Sequence, residues 1–183
     1  MLIRTPEEDI KYVLFTEEQI RKRVQELGQE LGEKFRGKTP LMLCVLRGAS
    51  FFFTDLCRQM KCHVNIDFIS ASSYFSGTKS SGTVRLDKDS SIDMTDRHLI
   101  LVEDIIDSGL TLQYLERLFE SRKPASITTV AFLDKDVKKP GRNEVDYRGF
   151  VIPDEFVVGY GLDYADYYRN LPYIGVLKEE CYQ

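Results

Sequence analysis

The sequence predicts an α/β protein built on an open, mostly parallel sheet flanked by helices. Three observations predict it. Continuous apolar runs of strand length stand at 41–46, 98–102 and 127–133. Segments with helix-spaced apolar residues lie at 50–60 and Leu110–Glu120. The two kinds alternate along the chain. A strand buried on both faces reads as an unbroken apolar run, and strand–helix–strand order calls for a right-handed crossover to a parallel neighbour.

Each element has its own signal. Thr16-Glu17-Glu18-Gln19 reads as a capping box, with Thr16 as N-cap and Gln19 at the third helical position. Ile20, Val24, Leu27, Leu31 and Phe35 follow at helical spacing, and the helix is expected to end near Gly37. Leu41–Leu46 follows Pro40 as a buried strand and breaks at Arg47-Gly48-Ala49. A helix over 50–60 and a strand over 64–70 come next. The stretch 72–82 is rich in serine and glycine, with only Tyr74 and Phe75 large and apolar. Such a segment is expected to form a long loop acting as a lid. The strand 98–102 is expected to stop at Glu103-Asp104. The helix Leu110–Glu120 carries Leu112, Leu115, Leu118 and Phe119 on one face, and 127–133 supplies another parallel strand.

Bulk properties narrow the function. The 183 residues fit one domain with a small flap. With 43% apolar and 30% charged residues the composition is that of an ordinary globular chain. The net charge of -4 argues against a broad nucleic-acid surface, while leaving room for a local positive pocket. The first nine residues lack the apolar core of a signal peptide, and Leu41–Leu46 is too short to span a bilayer. No membrane partner and a cytoplasmic location are therefore expected. Cys44, Cys57, Cys62 and Cys181 form no Cys-x-x-Cys pair and read as reduced thiols, with Cys44 in the core. With only two histidines, His63 and His98, acid–base chemistry falls to carboxylates.

The most informative stretch is 99–112. An apolar strand runs into Glu103 and Asp104, then a tight turn with Asp107, Ser108 and Gly109, then a helix N-terminus. Unpaired amides and partial positive charge there suit a phosphate. Ser108 and Thr111 add hydroxyls, Gly109 allows close backbone approach, and Ile105 and Ile106 are expected to anchor the turn. Two carboxylates beside a phosphate make sense if they face a ribose diol, with magnesium offsetting the remaining charge. The bland alternative is that Asp107-Ser108 merely caps the helix and Glu103-Asp104 is a solvated turn.

Val102-Glu103-Asp104-Ile105-Ile106-Asp107-Ser108-Gly109-Leu110-Thr111 resembles the phosphoribosyl-pyrophosphate signature of the type I phosphoribosyltransferases. The Glu-Asp-Ile-Ile-Asp version is similar to the hypoxanthine-guanine branch. Leu46-Arg47-Gly48 resembles the family's pyrophosphate loop, Ser72-Ser73-Tyr74 its lid, and the segment 152–164 its purine-binding region. Arg169-Asn170-Leu171-Pro172-Tyr173-Ile174-Gly175 continues the likeness.

The resemblance implies a type I phosphoribosyltransferase fold over 1–183, with a lid at about 72–84 and a purine-binding hood mainly in 150–183. It implies a Mg2+-dependent transfer from phosphoribosyl pyrophosphate to a 6-oxopurine, in purine salvage. Asp107 would move the N7 proton. Glu103 and Asp104 would hold the ribose hydroxyls and a magnesium ion, and Ser108, Gly109, Leu110 and Thr111 would wrap the 5′-phosphate, Leu110 through its backbone alone. Arg47, Gly48 and Arg169 would meet pyrophosphate, with Leu46-Arg47 the candidate for a cis peptide found in relatives. Lys135 would donate to the 6-oxo group, Phe156 stack on the base, and the Val157 backbone read its edge. Asp163 would help bind a second magnesium near the 2-amino region. Ser73 and Tyr74 would belong to the closing lid. Relatives form dimers and tetramers, so a homodimer or homotetramer is implied. A nucleotide-binding regulator on the same fold is the competing reading; it would need a basic RNA face. A phosphate-binding module without chemistry and a xanthine-preferring enzyme are the others.

Overall fold

The capping box at Thr16 forms as its sequence predicts. In a computed structural model, which describes residues 5–76, 79–136 and 144–182 and only the backbone over 73–76 and 79–83, Gln19 N–H donates to Thr16 Oγ1 at 3.3 Å and Thr16 N–H donates to Gln19 Oε1 at 2.8 Å. After strand β1 (Ile10–Phe15), this box opens helix α1 (Glu17–Lys34), which buries Ile20, Val24, Leu27 and Leu31. Strand β2 (Leu41–Leu46) leads to helix α2 (Ser50–Gln59), which buries Phe52, Phe53 and Leu56. Strands β3 (Asn65–Ser76) and β4 (Lys79–Lys88) follow, then β5 (His98–Ile106) and helix α3 (Leu110–Glu120). The chain continues through β6 (Ser126–Lys135), β7 (Tyr147–Ile152), β8 (Val157–Val158) and β9 (Ile174–Leu177).

The large sheet has the order β4-β3-β2-β5-β6-β7. β3, β2, β5, β6 and β7 run parallel, and β4 is the antiparallel edge. The apolar runs are continuous because the sheet is covered on both faces. Met42, Cys44, Ile100, Val102 and Phe132 pack in the core with α1 and α2. Leu41, Leu43, Leu99 and Leu101 pack in a second core with Leu112, Leu115 and Phe119 of α3.

Two expectations need correction. The polar stretch 72–82 is not a loop where it is described: Ser72 pairs with Arg85, Ser73 with Val84 and Ser76 with Lys79 in an antiparallel ladder. A ladder satisfies backbone groups whatever the side chains are, so serine content alone could not exclude strands. Second, β5 does not stop before Glu103. It runs on with Glu103 opposite Ala131, Ile105 opposite Leu133 and Ile106 opposite Asp134. Ile105 and Ile106 therefore complete a strand rather than anchor a turn. β7 closes the large sheet, and a separate small sheet, ordered β1-β9-β8, joins the chain beyond Ile152 with β1 from its other end. Its antiparallel pairing sets Phe15 against Ile174 and Val157 against Val176.

No helix among the described residues is long and apolar enough to cross a membrane.

Candidate active site

Parallel strands gather their carboxyl ends on one edge, and there the helix-start loops diverge and leave a crevice. Here β2 leads into Arg47 and Gly48, β5 and the turn into α3 deliver residues 103–109 and Thr111, and the small-sheet segment closes over them with Asp163 and Arg169. Together they line a cleft of about 320 Å³.

The cleft is assembled by close contacts. A Cβ on Gly48 would stand 1.5 Å from Asp104 Oδ2, and a Cβ on Gly161 would stand 2.0 Å from the Gly48 carbonyl oxygen. The loop is thus sandwiched between β5 and the small-sheet segment, and Gly161 has a φ of +104° that side chains rarely adopt. The Leu46-Arg47 peptide is cis, as the resemblance implied.

The carboxylates differ sharply in environment. Glu103 is 6% exposed, and its Oε1 has no hydrogen-bond partner among the described residues. Burial, and then the neighbouring Asp104 charge, push its pKa well above the ordinary carboxylate value. Asp104 accepts from the Ile105 N–H at 2.7 Å. Burial pushes it up to about 6, against the lowering pull of backbone N–H groups and Arg169, with Asp163 adding to the rise. Asp107 has a side chain 52% exposed and lies 3.9 Å from Lys135 Nζ.

The turn after Asp107 leads directly into α3. Gly109 is the N-cap of α3, with φ of +76° and no side-chain cap. Ser108 Oγ accepts from the Leu110 N–H at 3.4 Å. Asp107 sits two residues before the cap. Leu110 is 39% exposed.

Lys135, Phe156 and Val157 are not on the cleft lining. Lys135 has a side chain 14% exposed and pairs with Asp154 at 2.8 Å as well as with Asp107. Phe156 is partly exposed, stacked on Tyr182 at 4.8 Å and edge-on to Tyr164 at 5.5 Å. Val157 is buried in β8. The backbone of Ser73 and Tyr74 lies on β3; their side chains, and the 77–78 part of the expected lid, lie outside what is described.

Arg169 donates to the Gly161 carbonyl at 2.7 Å and pairs with Asp163 at 2.7 Å and Asp166 at 3.3 Å. Arg47 also pairs with Asp166, at 3.2 Å. Neither Asp166 nor Asp154 is among the site residues expected from the sequence. The signal for Asp154 lies in register: Ile152 sits opposite Lys135, so a residue two positions later reaches the ammonium.

Magnesium fits these residues in a limited way. Among the described residues no three His, Cys, Asp or Glu gather as a ready metal cage. Asp104 and Asp163 both line the cleft, and the buried Glu103 has an unpartnered oxygen. Magnesium commonly rests on one or two carboxylates plus waters and substrate phosphates. The donor set suits an ion that arrives with a phosphorylated substrate.

Residues 14–165 match the phosphoribosyl transferase domain family. Hypoxanthine-guanine phosphoribosyltransferase of Bacillus subtilis is 49% identical over 175 residues, 96% of this chain and 97% of that protein. The bifunctional protein TilS/HprT of Listeria monocytogenes is 48% identical over 95% of this chain, and the chain spans 27% of its length. A crystal structure of a hypoxanthine phosphoribosyltransferase from Staphylococcus aureus superposes with a TM-score of 0.94 at 42% identity, covering 100% of both chains.

Proposed function

The chain belongs to the phosphoribosyl transferase family, and from that premise we propose that it transfers the 5-phosphoribosyl group from phosphoribosyl pyrophosphate to hypoxanthine or guanine. The products are IMP or GMP and pyrophosphate, a purine-salvage reaction. The observation that carries this reading is the position of Asp107. It stands between a helix N-terminus suited to phosphate and a lysine suited to a 6-oxo group, 3.9 Å from Lys135 Nζ.

The sugar donor's 5′-phosphate takes the amides and hydroxyls of 108–111, where the N-terminus of α3 favours negative charge. Glu103 and Asp104 accept from the ribose hydroxyls. Arg47, Gly48 and Arg169 receive the pyrophosphate. Asp104, Asp163 and Glu103 would hold magnesium arriving with the donor, and the ion would supply charge neutralisation for the departing pyrophosphate.

Bond breaking runs from the anomeric carbon to the pyrophosphate oxygen, which leaves with the bonding electrons. The base N9 supplies the new bond. Positive charge then spreads over the purine, and Asp107 takes the N7 proton or stabilises that charge. Lys135 is donor-only, so it pairs with a 6-oxo group and faces a like donor in adenine. Rejection of adenine follows from that repulsion. Phe156 stacks on the base, and the Val157 backbone reads its edge. The segment carrying Ser73 and Tyr74 would close to exclude water from the activated sugar. A cytoplasmic homodimer or homotetramer belongs to the same reading.

The test is pyrophosphate release with phosphoribosyl pyrophosphate, Mg2+ and each of hypoxanthine, guanine, xanthine and adenine. Hypoxanthine and guanine should be turned over and adenine refused; no release with any oxopurine ends the proposal. Asp107→Asn should lower kcat by about a hundredfold or more with an unchanged melting temperature, because the side chain is half exposed. Full turnover in that variant removes Asp107 from the chemistry.

A further inference from the structure

We propose that Asp166 is a built-in counter-ion for the pyrophosphate subsite: it holds Arg47 and Arg169 together and yields them to the entering anion. The inference rests on the proposed function, which assigns those two arginines to pyrophosphate.

Asp166 Oδ1 lies 3.2 Å from Arg47 Nη1 and 3.3 Å from Arg169 Nη2. One carboxylate oxygen thus bridges two guanidinium groups, as a phosphoryl oxygen would. The two cations would otherwise repel each other at this separation. The rest of the cluster is held in place. Asp163 Oδ2 accepts from the Asp166 N–H at 2.9 Å, and Asp163 Oδ1 pairs with Arg169 at 2.7 Å. Ala165 and Asp166 both have left-handed backbones, with φ of 52° and 67°. This turn aims the Asp166 side chain back at the arginines. Arg169 is tied to the Gly161 carbonyl and stays in the cleft wall.

Arg47 and Asp166 are themselves open to solvent, with side chains 71% and 63% exposed. An anion can reach this bridge from outside. Pyrophosphate must displace the carboxylate from both arginines, so its affinity is set by a difference between two sets of ion pairs. Asp166 keeps the arginines gathered and also keeps pyrophosphate from binding too tightly to leave.

The experiment is titration calorimetry of magnesium pyrophosphate into the wild-type protein, Asp166→Asn and Asp166→Gly. Asparagine and glycine both tolerate the left-handed backbone, so the turn is kept. Each variant should bind about three- to tenfold more tightly at low salt, the range that two solvent-screened ion pairs can supply. The gain should shrink toward zero as salt rises. The KM for phosphoribosyl pyrophosphate should fall by a similar factor while the KM for hypoxanthine stays put. Equal or weaker pyrophosphate binding in both variants overturns the proposal, because Asp166 would then only preposition the arginines. A gain that ignores salt also overturns it. If the wild-type protein itself binds no pyrophosphate, the functional reading fails rather than the counter-ion role.

Discussion

Asp67 shows how far a single carboxylate can depend on its surroundings. It is the third residue of β3, where Ser90 Oγ donates to Oδ2 at 2.7 Å, the Ser91 N–H donates to Oδ2 at 2.8 Å, and the neighbouring Phe68 N–H donates to Oδ1 at 2.7 Å. Lys88 Nζ stands 3.7 Å away. Burial pushes the group up, but these donors and the ammonium outweigh it and carry the pKa from an ordinary 3.8 to about 2. A lowered folded-state pKa means the unfolded chain takes up the proton first. The stabilisation is therefore complete above pH about 4 and is lost as pH falls toward about 2. Urea denaturation across that window should show stability falling with acid, and Asp67→Asn should flatten the slope there. An unchanged slope in the variant would assign the acid sensitivity to other groups. Cysteine behaviour is also settled at this scale. No disulfide joins the four cysteines, and burial pushes the Cys44 and Cys57 thiols up to about 12, in keeping with inert, reduced side chains.

At the scale of elements, local signals and tertiary pairing had different authority. Helix α1 needed only its own residues: a cap at Thr16 and an apolar stripe at Ile20, Val24, Leu27 and Leu31. Its Thr16 contact is long at 3.3 Å, which places the cap in the lower part of its usual range. Thr16→Ala should cost about 0.5–1 kcal/mol, read as a shift in denaturation midpoint without a change in m-value. A loss below a few tenths would show that tertiary packing alone fixes the start of α1. The hairpin β3–β4 and the far end of β5 were decided differently. The serine-rich stretch 72–76 and the charged pair 103–104 give no clean local strand signal, yet a partner strand lies beside each and satisfies the backbone. The apolar faces of α2 and α3 were legible because a helix that packs on a sheet must carry a stripe.

The whole molecule decides how the small sheet meets the large one. Gly161 touches the Gly48 carbonyl, and Gly48 in turn covers Asp104. This three-layer contact sets the height of the cleft that Asp163 and Arg169 close. Gly161→Ala should force a shift, since a Cβ would meet backbone at 2.0 Å and the φ is +104°. The expected loss is about 1–3 kcal/mol of stability and a KM for phosphoribosyl pyrophosphate raised at least about tenfold, beyond what that stability loss explains in a still-folded protein. Wild-type kinetics in Gly161→Ala would show that the cleft tolerates a displaced small sheet.

Local sequence was enough for the layered α/β class, the strand and helix positions that carry the core, and the tight turn that leads from Asp107 into α3. Those features rest on local patterning: continuous apolar runs, helical spacing, a glycine before a helix start. Only the tertiary structure decided that β1 joins the small sheet through Ile174, that Glu103 is buried with an unpartnered oxygen, and that Lys135 sits between Asp107 and Asp154. It alone brought Arg47 to Asp166 across more than a hundred residues of chain. Register between distant strands and the desolvation of a charge depend on what packs alongside, and no window of neighbouring residues contains that information.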